Sequence, residues 1–163
     1  MLARQSATIL GIDPGSRFTG YGFVKQQGPC LTYLASGHIR TDVHSALAMR
    51  LKHIFFDLTD LIKHYQPTHA AIEQVFVHRN PHAALKLGQA RGAATCALTQ
   101  FELYPAEYSA RQVKQAVTAY GAAHKAQVQF MVGKLLNLAS TPQADAADAL
   151  AVAICHAHTI KLS

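Results

Sequence analysis

Four carboxylates in this chain interrupt stretches that are otherwise apolar or small. Asp13 closes the run Ile9-Leu10-Gly11-Ile12 and is followed by Pro14-Gly15-Ser16, which is turn chemistry. Glu73 lies inside AAIEQV, residues 70–75, and Asp145 and Asp148 lie in QADAADALAVAI, residues 143–154. Each has a plain explanation when taken alone. Asp before Pro-Gly starts turns, a strand Glu can sit at an edge, and acids near a helix start complement its dipole. Taken together they point to different chemistry. An ionised carboxylate among apolar neighbours is costly unless it is paired or bound to a cation. Asp145 and Asp148, three residues apart, share one helix face and repel unless something cationic lies between them. An all-oxygen cluster suits Mg²⁺ or Mn²⁺ and not zinc. Two such ions ~3.5–4 Å apart activate water and stabilise the leaving oxygen in phosphodiester cleavage.

The elements that must position these acids can be read from periodicity and punctuation. A short apolar run ending at Asp13 reads as a buried strand, with the carboxylate at the sheet edge where open α/β folds place their sites. Residues 19–25 and 31–39 are predicted as two further strands, and the short gaps favour an antiparallel meander. Leu47, Leu51, Ile54, Phe55, Leu58, Leu61, Ile62 and Tyr65 recur at helical steps, with Met49 and Phe56 off the stripe. Ser45 is the expected N-cap of that helix and Pro67 its stop. Residues 70–75 give a fourth strand. Asn80-Pro81 opens a second long helix through about residue 99, with Gly88, Gly92 and Cys96 at four-residue spacing. Small residues so spaced predict a close neighbour, either the sheet or a second subunit. A fifth strand is expected at 103–108, and a capping box of Ser109 and Gln112 opens a short helix ended by Gly121. Another helix is expected over 124–138. The last is expected to be capped by Thr141-Pro142 and to reach about residue 158. The small residues around Asp145 and Asp148 predict that this helix lies tightly against the sheet. The fold class is α/β, a mixed five-stranded sheet flanked by helices.

At 163 residues, half of them hydrophobic and 15% charged, the chain is expected to form one globular domain over residues 1–163. No apolar run is long enough for a membrane helix, and no signal peptide is evident. Cys30, Cys96 and Cys155 lack metal-ligand spacing and are expected as small buried hydrophobes in a reducing compartment, which places the protein in the cytoplasm. Fifteen Lys and Arg face nine Asp and Glu, for a net charge of +6. If four of those acids gather at one site, the fifteen bases elsewhere face only five. A basic shell around an acidic pocket suits an enzyme that holds a polyanion and a divalent cation.

GIDPGSRFTGYGF, IEQVF, ALKLGQARG, ARQVKQAV and QADAADALA occur in an order that resembles the RuvC family of Holliday-junction resolvases, over essentially residues 9–158. GIDPGS alone is shared with actin-like ATPases and other ribonuclease H-like proteins; the combination with EQVF and QADAADALA is far more specific. The resemblance implies a ribonuclease H-like fold, a homodimer, and symmetric, Mg²⁺-dependent nicking of four-way DNA junctions in recombination and repair. By motif match, Asp13, Glu73, Asp145 and Asp148 would be the catalytic, metal-binding carboxylates, holding two Mg²⁺ ions with Mn²⁺ as a substitute. The resemblance also suggests contact with the RuvA–RuvB branch-migration complex. No basic tail of the kind found in some relatives follows the last helix, so no DNA grip is expected from one.

Both routes supply DNA-binding candidates. Phe76, three residues after Glu73 and beside His78-Arg79-Asn80, could be a core residue, or a loop aromatic that stacks on or wedges between bases; the resemblance favours the wedge. Lys114 and Lys125, taken singly, read as solvated surface lysines; their match to ARQVK and the basic turn of the family raises the reading of both as phosphate contacts. Arg17, Arg79, Lys86 and Arg111 are weaker DNA-binding candidates. Two other function classes remain to be weighed. A non-catalytic junction-binding module leaves four acids in apolar segments without a purpose. An actin-like ATPase needs a second duplicated domain and further phosphate loops that 163 residues do not accommodate.

Overall fold

Side chains on a strand alternate between the two faces of a sheet, and the first strand shows what that alternation builds. The computed structural model describes residues 6–76 and 80–161. Strand β1 (Ser6–Asp13) is central, with antiparallel β2 (Phe18–Gln27) on one side and β3 (Cys30–Arg40) beyond it. On its other side β4 (His69–Glu73) and then β5 (Ala106–Tyr108) pair in parallel, giving the order β3-β2-β1-β4-β5. This is the mixed five-stranded, ribonuclease H-like sheet expected from the sequence.

Leu10 and Ile12 face one layer, where helices α1 (Leu47–Tyr65) and α2 (Pro81–Thr99) bury Ile54, Leu58, Ile62, Ala90, Ala94 and Leu98. Ala7 and Ile9 face the other, made by α3 (Ala110–Thr118), α4 (Lys125–Leu135) and α5 (Ala144–Thr159). Burial on both faces explains why β1 reads as a continuous apolar run. The same parity carries Asp13 to the α5 side. On β4, Ile72 belongs to the α1–α2 layer and Ala71 to the α5 layer, so Glu73 also turns toward α5.

The contact between α5 and the sheet is made backbone to backbone. A Cβ placed on Gly11 would collide with the Ala149 carbonyl and the Ala153 side chain, and one on Gly20 with the Asp145 carbonyl. A Cβ on Gly22 would meet Leu150 at 2.8 Å. Small residues on both partners let the helix settle onto the strands, as the alanines around Asp145 and Asp148 predict. The other glycines behave differently. Nothing lies within 4 Å of a Cβ built on Gly88 or Gly92, so the sheet is not the neighbour that their spacing anticipates.

Several local expectations are corrected. Ser45 is not the N-cap of α1: its hydroxyl is taken by Asp42 Oδ2 at 3.1 Å, and Ala46 stands at the cap without a side-chain bond. Thr141 does not cap α5, which starts two residues past Pro142, with Gln143 at the cap. The fifth strand is only Ala106–Tyr108, because residues 98–102 form a tight turn in which the Leu103 and Glu102 amides bond Leu98 and Thr99 carbonyls. Helix α3 ends at Ala119, in a left-handed conformation at φ 60°, before Gly121. Cys155 is buried as expected, but Cys30 and Cys96 are exposed: Cys30 begins the edge strand and Cys96 lies on the open face of α2. Met49 and Phe56 are exposed, as their position off the apolar stripe requires. Among the described residues no helix is long and apolar enough to cross a membrane.

Candidate active site

Asp13 and Glu73 end neighbouring parallel strands in register, since Ile12 pairs with Ile72. Their carboxyls therefore emerge side by side at the carboxyl edge of the sheet, where parallel strands place ligands. Helix α5 passes over this edge at its amino end and brings Asp148 to the same spot. A cleft of about 340 Å³ results, lined by Asp13, Glu73 and Asp148 on its floor and by Phe76, Lys114 and Lys125. Asp145 does not line the cleft. Its main chain is pressed against Gly20, and its charge acts on Asp13 more weakly than those of Glu73 and Asp148.

The electrostatics follow from that crowding. Burial, then the charges of Glu73 and Asp148, push the Asp13 carboxyl up from 3.8 to about 8, so in the metal-free protein it holds a proton at neutral pH. Glu73 is also raised, first by burial and then by Asp148, while a hydrogen bond from Asp13 and the nearby Lys125 and Lys114 pull it back. Lys125 reaches in from the first residue of α4 and sets its Nζ 3.1 Å from Asp148 Oδ2. Sequence reasoning placed this lysine on DNA phosphates; here it rests on a carboxylate. Among the described residues no three carboxylate, histidine or cysteine side chains are already gathered as a cation cage. The donor set nonetheless fits a hard divalent ion. It offers only carboxylate oxygens, and the Lys125 ammonium answers part of its negative charge.

The loop after Asp13 is fixed from several directions. Thr19, fully buried, donates its hydroxyl to the Gly15 carbonyl at 2.7 Å. Thr41 Oγ1 and Arg50 Nη2 both donate to the Ser16 carbonyl, at 2.6 and 2.7 Å. Sequence reasoning missed these supports. The available signal was Arg50, a cation one helical turn before the buried Ile54 and hence on the flank of the core-facing stripe.

Phe76 is 57% exposed and shared between the acidic cleft and a second groove lined by Gln74, Gly88, Arg91 and Glu107. The core alternative for Phe76 is therefore not the one this fold adopts. Lys114 lies within the cleft; Arg17, Lys86 and Arg111 do not line it. Arg79 and His78 lie outside the described residues.

The family model described as "Crossover junction endodeoxyribonuclease RuvC" matches residues 9–156. The chain belongs to the RuvC family. The RuvC protein of Psychromonas ingrahamii is 63% identical over 151 residues, covering 93% of this chain and 87% of that one. That of Acinetobacter baumannii is 58% identical over 150 residues, covering 92% and 82%. Among solved structures, Thermus thermophilus RuvC in complex with a Holliday-junction substrate is similar with a TM-score of 0.87 and 31% identity, covering 93% of each chain. The yeast mitochondrial resolvase Ydc2, 14% identical with a TM-score of 0.66, shares the fold. RuvC membership carries junction-resolving endonuclease activity and dependence on a divalent metal.

Proposed function

We propose that this protein resolves four-way DNA junctions by nicking two symmetry-related strands, with Asp13, Glu73, Asp145 and Asp148 holding two Mg²⁺ ions for which Mn²⁺ can substitute. The observation that carries this reading is the convergence of Asp13, Glu73 and Asp148 in one cleft rimmed by Phe76, Lys114 and Lys125. When bound, the ions supply an activated water and stabilise the departing oxygen. The chain's own residues do the rest. Asp13, Glu73 and Asp148 would present their carboxylate oxygens to the ions from the cleft they line. Lys114, on the cleft wall, faces the phosphate to be cut. Phe76 stacks on or wedges beside a base at the junction centre, where pairing is already strained. Arg79 follows Phe76 in the chain and is assigned to the DNA backbone.

Two strands must be cut, so two sites are needed, and a two-fold dimer supplies them. The open stripe of α2, with Leu85 68% exposed and Gly88 and Gly92 facing nothing within 4 Å, supports that face as the place where a second copy packs. The test is cleavage of a synthetic mobile junction beside a linear duplex of the same sequence, in Mg²⁺ and in EDTA. Paired nicks in the junction alone, with Mg²⁺ alone, are expected. Binding without cleavage under every metal condition would favour a non-catalytic junction-binding module.

A further inference from the structure

We propose that Lys125 is the resident cation of the carboxylate cleft in the metal-free protein, and that metal loading releases it from Asp148 to a DNA phosphate. The inference rests on the reading of Asp13, Glu73, Asp145 and Asp148 as the metal-holding set and adds a control on how that set is filled.

The observation behind it is an asymmetry between two lysines. Lys114 and Lys125 line the same cleft, yet among the described residues only Lys125 is ion-paired there, 3.1 Å from Asp148 Oδ2. The two ends of that pair differ in character. The Lys125 side chain is 77% exposed, whereas that of Asp148 is 18% exposed. A long, hydrated stem thus delivers one charge to a carboxylate held on the tightly packed α5. The ammonium also faces Asp13, Glu73 and Asp145, all of which feel it or are felt by it. One ammonium is a poor answer to that many carboxylates. It brings a single charge and donors only. A divalent ion brings twice the charge and can be shared by several oxygens.

Exchange is inexpensive because the resident pair is weak. Exposed ion pairs contribute little, since the ammonium regains water when it leaves. Lys125 opens α4 on the rim of the cleft, so the released side chain remains beside the path of the DNA. Metal and DNA binding are then positively linked. The ion frees a lysine for phosphate, a phosphate that captures the lysine frees Asp148 for the ion, and linkage makes the effect reciprocal.

The experiment titrates Mn²⁺ into DNA-free protein and measures free Mn²⁺ by electron paramagnetic resonance. It compares wild type, Lys125→Met, Lys114→Met and Asp13→Asn, with a thermal melt of each to establish folding. Lys125→Met is expected to bind Mn²⁺ roughly fivefold more tightly than wild type, the size of one partly exposed ion pair. Lys114→Met is expected to stay within about twofold, and Asp13→Asn to bind weakly. Equal affinity in wild type and Lys125→Met, with Asp13→Asn weakened, would overturn the exchange while leaving the carboxylate site standing. Equal tightening in both lysine variants would reduce Lys125 to general cleft charge and overturn it too. Wild-type affinity in Asp13→Asn would instead remove the site reading itself. A second measurement takes junction binding in EDTA through a double-mutant cycle. Lys125→Met should weaken binding at least about threefold more in an Asp148→Asn background than in wild type, because only there is the lysine already free. An identical loss in both backgrounds contradicts the exchange.

Discussion

Gly11, Gly20 and Gly22 on the sheet and Gly88 and Gly92 on α2 use the room left by a missing side chain in opposite ways. The first group is filled: the backbone of α5 occupies the space where their Cβ atoms would be. The second is open, with nothing within 4 Å. The filled face is where the carboxylates are held, on strands and on a helix that cannot shift without moving a backbone. The open face, together with the exposed Phe76 and Lys125, is where the proposed function puts contact with DNA and with a second copy. Placement of the carboxylates is thus a property of packing inside the chain, and the contacts proposed with DNA and with a second copy fall on exposed residues.

Filling the occupied face should have the largest effect. Gly11→Val sets two methyl groups against the Ala149 carbonyl and Ala153, and neither can move alone. A destabilisation of about 3 kcal/mol or more is expected, a drop in Tm on the order of 10 °C, with loss of cleavage in whatever remains folded. An unchanged Tm would show that α5 can lift from the sheet at no cost.

On the open side, Phe76→Ala should leave Tm within about a degree, since the ring is 57% exposed, yet slow junction cleavage roughly 10- to 100-fold through lost stacking. A junction with mismatched central pairs should partly rescue it. Lost stability without rescue would return Phe76 to the packed group. Gly92→Leu is a smaller perturbation of the protomer. It should raise the Tm of the isolated chain slightly, because leucine favours a helix over glycine by up to ~1 kcal/mol. The same change should weaken self-association at least tenfold in sedimentation; a dimer insensitive to it would move the interface elsewhere.

A pH-dependent effect belongs to a buried pair within the packed side. His156 is 7% exposed, its Nδ1 is 2.8 Å from the Tyr108 hydroxyl, and burial, then the nearby His69, lower it from 6.5 to about 4. The unfolded chain therefore binds a proton that the native protein refuses between those values, and stability should fall as pH drops from about 6.5 toward 4. At ~1.4 kcal/mol per pKa unit, His156 accounts for about 1–3 kcal/mol of that fall. His156→Gln should flatten the Tm–pH curve over this range by that amount relative to wild type; parallel curves would assign the acid sensitivity to other groups.

What the sequence made legible follows the same division. Asp13 and Glu73 were readable because each breaks an apolar strand, and strand parity brings both to the α5 face. The tight seat of α5 was readable in its alanines, although the glycines that receive it were not, because which strands a helix crosses is a tertiary fact. The Lys125–Asp148 pair joins residues on different helices and carries no local signature. Asp145 shares a helix face with Asp148, and its main chain packs against Gly20, a helix-to-strand contact that no local pattern announces. Ser45 shows how a local rule loses to a nearer competitor: a sound N-cap residue was taken by Asp42.

The central claim is that the half-buried carboxylates perform the chemistry and the exposed residues hold the DNA. Asp13→Asn tests it most directly, because the amide preserves shape while removing the charge that a metal requires. Junction binding in EDTA and Mg²⁺-dependent nicking would be measured on the same preparation of wild type and variant. The account predicts junction affinity within a few-fold of wild type and nicking reduced at least about a thousandfold. Nicking at the wild-type rate by a variant that binds normally would contradict it.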